Sequence, residues 1–393
     1  MNLASAPFEI PNFCKRMDNI SKRKVLFVID TLQIGGAEQS LLSNTTRFDN
    51  IIPIICHIYK GDLLKQKFIE NGIKVYSIDL EKKFGFVKAY RELKKVVSIE
   101  QPDLIVGYIT RSEIVARLVG RFNHIPVIGT FITDLYSKTY NQHLSWKAKQ
   151  LVSLSQLINK LTCKVCVGFV ANSQAIKDSN AQYLSIPPNK IKVINRGRES
   201  IHIKRKQPVV QEDAWIRFVN VSRLYPVKGH KELLLGFNNF LQKHPQASLH
   251  IVGDGPQRAE LTKIIRQLGL EDKVFLLGAR NDVGTLLADF DCFVFPSLEE
   301  GFSGAVVEAM FANIPVLASD IGPNKEAITH LKTGYLFKRE SAEEIEKSML
   351  WFKDNKATAQ TFALNAYHHA KEHFELSIIV EQFEQYLLSV MEY

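Results

Sequence analysis

At 393 residues and 46% hydrophobic, the chain is too long for one ordinary core and reads as two domains of roughly 150–200 residues each. A charged fraction of 23% excludes a disordered tail, and no apolar run approaches the ~20 residues of a membrane-spanning helix. The net charge of +9 is uneven, because residues 1–200 carry 29 Lys+Arg against 16 Asp+Glu and the remainder 21 against 25. That asymmetry points the first half toward an anionic surface or partner. No nucleic-acid reader motif accompanies it, so a membrane surface or a phosphorylated acceptor suits it better than nucleic acid. Five scattered cysteines form no disulfide framework, as expected of a reducing cytosol.

Residues 1–23, with Pro7, Pro11, Lys15 and Arg16, lack an apolar secretory core and read as a loosely held extension. Lys24–Asp30 is the first predicted strand, followed by a glycine turn and a helix near Ala37–Thr46. Further strands are predicted at Ile51–Ile58, Ile73–Ile78, Asp103–Tyr108, Val127–Phe131 and Lys164–Ala171. Continuous apolar strands alternating with helices imply a parallel sheet covered on both faces. The polar, basic stretch Arg196–Asp213 reads as a linker. The pattern then restarts, with strands at Ile216–Ser222, Ser248–Gly253, Lys273–Leu277, Asp291–Phe295 and Ile314–Ser319. A last segment, Leu376–Tyr393, has Ile379, Phe383, Leu387 and Val390 at helical spacing.

In such folds ligands bind beyond the carboxyl ends of the strands, and the candidate residues concentrate there. Gly35-Gly36-Ala37-Glu38 opens the first helix, where a glycine pair lets amides approach a phosphate, although taken alone it reads more readily as a plain tight turn. Arg223 and Lys228, in SRLYPVKG, can converge on a diphosphate, the arginine by its fork and the lysine as a point charge. Gly253-Asp254-Gly255-Pro256 and Gly278-Ala279-Arg280 follow later strands. The richest segment is PSLEEGFSGAVVE, residues 296–308: a strand end, a glycine loop, then a helix beginning near Gly304. Glu300 on the loop and Glu308 about one turn into the helix give two carboxylates flanking one pocket, suited to vicinal hydroxyls. Either alone reads as an exposed loop charge or a helix-dipole partner; the combined spacing is what neither reading explains.

These stretches resemble glycosyltransferase family 4, which has the GT-B fold: two Rossmann-like α/β domains facing each other across a cleft. The resemblance rests on EGFSGAVVE within its frame, on SRLYPVKG, VGDGPQRAEL, GGAEQSLL and PDLIVG, and runs from about Lys24 to about Lys371. It implies an acceptor domain over 24–205, a donor domain over 206–375 and a helix over 376–393 returning to the first domain. It further implies a retaining, metal-independent transfer from a nucleotide-diphosphate sugar, with no cofactor, to a glycan, glycolipid or lipopolysaccharide-type acceptor. Glu300 would hold donor-sugar hydroxyls with the Gly301, Phe302, Ser303 and Gly304 backbone, and Glu308 the ribose. Arg223 and Lys228 would neutralise the diphosphate, helped by Arg280, with Gly35 and Gly36 approaching it from the opposite side. Location in the cytoplasm, peripheral on the inner membrane, follows by the same analogy.

Two departures stand out. Where relatives often carry a histidine after a PVIGT-like strand, this chain has Thr133 and Asp134, which either stand in for it or mark a different donor sugar. Where many have an asparagine-glycine turn, it has Asn195-Arg196-Gly197-Arg198, whose arginines concern either an anionic ligand or only the basic surface. Two other functions compete. A nucleotide-sugar epimerase shares the architecture but lacks the Glu300–Glu308 frame. A catalytically silent sugar-nucleotide binder would be expected to have lost charges at 223, 228, 300 or 308. The Cys163–Cys166 spacing and the His369/His373 pair read as buried thiols and surface histidines rather than metal ligands. Within 143–170, lysines at 147, 149, 160 and 164 interleave with Trp146, Leu151, Leu154, Leu157, Ile158 and Leu161. That reads either as a helix for an anionic membrane or as a helix facing the core.

Overall fold

The computed structural model describes residues 22–81, 85–137, 141–142, 145–207 and 215–392. Most of the predicted N-terminal extension, His143 and the Pro208 end of the predicted linker lie outside them. Two parallel sheets organise the chain. The first contains β1 (Arg23–Ile29), β2 (Ile51–Tyr59), β3 (Lys74–Leu80), β4 (Leu104–Gly107), β5 (Val127–Phe131), β6 (Gly168–Ala171) and β7 (Ile191–Val193), in the order β3-β2-β1-β4-β5-β6-β7. The second contains β8 (Ile216–Val221), β9 (Ala247–Val252), β10 (Val274–Gly278), β11 (Cys292–Phe295), β12 (Val316–Ser319) and β13 (Tyr335–Phe337), in the order β10-β9-β8-β11-β12-β13. Every described pairing within the two sheets is parallel. In each sheet the strand order reverses beside the first strand, which opens a crevice at its carboxyl end.

The central strands are buried on both faces, which is why they read as unbroken apolar runs: Val25 to Ile29 and Cys292 to Phe295 are at most 2% exposed. Helix Leu376–Met391 inserts Ile379, Phe383 and Leu387 among Val25, Phe27 and Leu41 of the first lobe. Its Glu384 accepts from the Asn50 and Ile51 amides at 2.6 and 3.0 Å.

Two local expectations change. The predicted strand Lys164–Ala171 begins as a 3-10 turn, Cys163–Val165, which closes the preceding helix, so only Gly168–Ala171 pairs. The 196–207 part of the predicted linker is not a solvated tether. The Arg198 amide donates to Phe374 O at 3.0 Å and its carbonyl accepts from the Leu376 amide at 2.9 Å, so two chain crossings run side by side. Lys204 and Lys206 amides then bond to Gly284 and Ala312 carbonyls.

Candidate functional site

The site lies where the carboxyl ends of the two sheets meet. After β8 the chain turns at Gly229, whose φ of +67° suits glycine, and a β-carbon there would run into the Pro296 carbonyl. The Leu298 amide donates to Val227 O at 2.8 Å, locking this loop to the one that follows β11. Lys228 is thereby delivered to Glu300, and the two half-buried side chains form an ion pair. Ser303 caps the next helix, Gly304–Phe311, its hydroxyl accepting from the Val306 amide at 3.4 Å. One turn in, Glu308 Oε1 accepts from Arg198 Nε at 2.5 Å, and Oε2 has no donor among the described residues.

The first lobe closes over this loop. A β-carbon at Gly301 would drive into the Ile132 carbonyl and lie 2.6 Å from Asn172 Nδ2, so only a glycine permits this approach. Ser137 donates to Glu299 at 2.8 Å across the cleft. Farther out, Glu326 accepts from the Gln174 and Ala175 amides at 2.7 and 2.9 Å, capping helix Gln174–Leu184 from the other lobe. Gly35 and Gly36 open helix Gly36–Thr45 as expected. The Glu38 carboxylate folds back over Gly35, and Arg196 packs on Gly36. Burial raises the Glu38 pKa, while Arg223 in the other lobe favours its ionised form.

Lys228, Glu300, Gly301, Ser303, Gly304 and Glu308 therefore come together, while Arg223 is exposed, lies over the Tyr225 ring 5.1 Å from its centroid, and reaches Glu38 electrostatically. One expected residue does not join, and another contributes by its backbone alone. Arg280 forks onto Asp282 at 2.8 and 2.5 Å on the exposed surface, with no described contact to Lys228, Glu300 or Glu308. The Phe302 ring is turned into the core, 5.2 Å from the Phe374 ring, leaving its backbone as the only part that can face a ligand. Of the residues standing where relatives have histidine, Thr133 lines a first-lobe cavity of about 170 Å³ with Glu113 and Tyr136. Asp134 is half-buried and close enough to Glu299 to raise its pKa.

Glu38, Glu299 and Asn172 are functional-site neighbours that the motifs did not single out as ligands, and Arg198, read from sequence as a contact to an anionic ligand or basic surface, instead holds Glu308. Burial pushes the Glu299 carboxyl up to about 7, with Ser137 and Arg339 opposing and Asp134 and Glu300 adding to the rise. An acid whose folded value lies above its unfolded one favours the folded state at low pH. That contribution is lost as pH rises from about 4.5 toward 7. Glu299→Gln should accordingly be near-neutral at pH 5 and raise the melting temperature relative to the parent at pH 8. A pH-independent difference between the two proteins would remove Glu299 from the lobe contact.

Cys163 and Cys166 are buried free thiols, with Arg117 beside them. Among the described residues no three His, Cys, Asp or Glu side chains assemble as a metal group. The His369 and His373 rings lie side by side, tilted by 33° with centroids 4.4 Å apart.

Two family models match the chain consecutively: Glycosyltransferase Family 4 over residues 46–199, and Glycosyl transferases group 1 over residues 201–369. The chain belongs to the GT-B glycosyltransferases. An uncharacterized glycosyltransferase of Methanocaldococcus jannaschii is 26% identical over 269 residues, 66% of each chain. The UDP-Gal:alpha-D-GlcNAc-diphosphoundecaprenol alpha-1,3-galactosyltransferase of Escherichia coli is 23% identical over 310 residues, 76% of this chain and 77% of that one. The match to a Bacillus anthracis N-acetyl-alpha-D-glucosaminyl L-malate synthase spans 57% of that protein's length, and the M. jannaschii match stops just short of two thirds. In fold, the chain superposes on the Anabaena HepE protein crystallised with UDP and glucose. The TM-score is 0.78 at 23% identity, over 93% of this chain and 100% of that one. These likenesses favour neither the epimerase nor the silent-binder alternative.

Proposed function

We propose that this glycosyltransferase moves a sugar, with retention and without a metal, from a nucleotide-diphosphate donor to a glycan, glycolipid or lipopolysaccharide-type acceptor. The Lys228–Glu300 pair, held against the start of the Gly304–Phe311 helix by both lobes, carries this reading. Glu300 is poised to accept from sugar hydroxyls, and the free oxygen of Glu308 from ribose hydroxyls. Lys228 and Arg223 present positive charge where the bond from the anomeric carbon to the diphosphate oxygen breaks. The new bond forms from the acceptor oxygen on the same face, and its proton leaves with the diphosphate. Fixed cations aimed at developing charge lower the barrier without the reorganisation water would need. The UDP-Gal in the name of the E. coli enzyme and the UDP crystallised with the Anabaena protein make UDP-sugars the first donors to try. The reading is tested by nucleoside-diphosphate release from a donor panel with bacterial lipid extract, with and without EDTA. Release that needs the extract and survives EDTA supports it; release abolished by EDTA and restored by magnesium or manganese contradicts the metal-independent part.

The acceptor side is proposed to work at an anionic membrane surface. Among the described residues no helix is long and apolar enough to cross a membrane. Helix Trp146–Thr162 instead turns apolar residues outward: Trp146 is 72% exposed, Leu151, Leu154 and Leu157 each 55%, and Leu161 63%. Asn159 and Val152 face inward, so a helix facing the core through its leucines is not what forms. Lys147, Lys149, Lys160 and Lys164 are exposed beside them, a charge match for anionic headgroups worth about 1 kcal/mol each. Co-sedimentation with phosphatidylglycerol vesicles should fall as salt rises and be lost in the Leu154→Glu/Leu157→Glu double variant. Equal recovery with neutral phosphatidylcholine vesicles would contradict it.

A further inference from the structure

Arg196 is a cation at the cleft floor that the donor reading leaves without a task. Lys228 is paired with Glu300 and Arg198 with Glu308, whereas no hydrogen bond or ion pair joins the half-buried Arg196 guanidinium to any described residue. It packs against the helix start, where a β-carbon on Gly36 would lie 2.9 Å from its Nη1. Burial and the neighbouring Arg198 push its pKa down to about 10, while Glu300, Glu308 and Glu38 favour its charge from farther away. Leaving such a cation unpaired is costly unless something else meets it.

The guanidinium borders a first-lobe cavity of about 60 Å³, walled by the Gly36–Thr45 helix, the carboxyl ends of β4 to β7 and the apolar side chains Ile379 and Phe383. This is space for several waters or one small polar group. Two further polar atoms on its wall are buried and unpartnered among the described residues: Ser40 Oγ and Asn172 Oδ1. The set comprises a cationic donor fork, a hydroxyl and an amide oxygen that can only accept. A group satisfying all three must carry negative charge and also donate a proton, as an oxyanion next to a hydroxyl does. The location adds to this: Asn172 and Ile132, which line the cavity, also stand where a β-carbon on Gly301 of the donor loop would go.

We propose that this cavity binds the anionic group of the acceptor, so that the sugar is delivered to a hydroxylated phosphate monoester or carboxylate. The inference rests on the glycosyltransferase reading above and adds the acceptor's chemical class. A soluble anion and a phospholipid headgroup present the same chemistry here.

The test uses the full-length chain saturated with UDP and follows binding of glycerol 3-phosphate, glycerate and glycerol by calorimetry. A parallel arm uses vesicles containing phosphatidic acid. The anionic ligands should bind at least 10-fold more tightly than glycerol. Arg196→Gln should lose that preference, Ser40→Ala should weaken it about 3- to 10-fold, and UDP affinity should stay within 2-fold in both. Saturation by soluble anions assigns a free acceptor; a requirement for the vesicles, equally lost in Arg196→Gln, assigns a headgroup. Anion binding that is absent or unchanged in Arg196→Gln, while UDP still binds, overturns the acceptor inference alone. A fall in UDP affinity in Arg196→Gln would make Arg196 a donor ligand and overturn it as well. Failure of UDP and every other nucleotide to bind the parent protein would instead strike the donor reading beneath it.

Discussion

Lys228→Ala is expected to lower turnover by about 100-fold or more while leaving the fold intact. Removing one fixed donor aimed at developing negative charge costs 10²–10³ in rate in comparable sites. Here the lysine has a second task, because it holds Glu300. Without it Glu300 becomes a half-buried carboxylate lacking its cation and turns away from the sugar. Lys228→Arg should recover only part of the loss, since a guanidinium fork cannot occupy the place of a compact ammonium between the 223–229 and 296–300 loops. Glu300→Gln should lower turnover more than it raises KM. Single-turnover rates decide the matter: a Lys228→Ala enzyme within threefold of the parent would mean that the leaving diphosphate is stabilised elsewhere.

Gly301→Val should be comparably severe for a different reason. Position 301 has no space for a β-carbon, because the Ile132 carbonyl and the Asn172 amide stand against it. Both obstacles belong to the first lobe, so the added atoms push the lobes apart rather than disturb either core. Overpacking of this kind costs about 1–3 kcal/mol. The cost falls on the closed arrangement, so kcat should drop and KM rise together, about 10- to 100-fold in kcat/KM, with little change in thermal stability. Nucleotide affinity should fall less, because Glu308, Arg223 and Lys228 all belong to the second lobe. A variant with parent-like kcat/KM would mean that the closed contact is not part of catalysis.

The two-sheet fold was legible because its central strands are buried on both faces and so appear as apolar blocks of four to nine residues. The edge strands β7 and β13 escaped notice: three residues are too few for a periodicity to register. Lys164–Ala171 misled because the buried Cys163 and Cys166 belong to a turn and still look apolar. Within the site, Lys228 and Glu300 could be found because short loops at strand ends hold them, and Glu308 because it lies one turn into the helix that follows. Arg198 could not, since its partner Glu308 is 110 residues away and only the fold joins them. The same holds for Asn172 against Gly301 and Ser137 against Glu299. Nor does a motif reveal that Phe302 turns inward or that Arg280 prefers Asp282; both depend on packing.

The central claim is that Glu308 and its loop hold a nucleotide-diphosphate sugar. It is tested most directly by thermal shift of the parent and Glu308→Ala proteins against UDP, GDP and ADP sugars, because a ligand that binds only the native state raises its melting temperature. One nucleotide class should stabilise the parent. In Glu308→Ala the same class should bind about 10- to 100-fold more weakly, since a buried hydroxyl pair loses a charged acceptor worth about 1.5–3 kcal/mol. No shift with any of the three, or an equal shift in a folded Glu308→Ala protein, would contradict it.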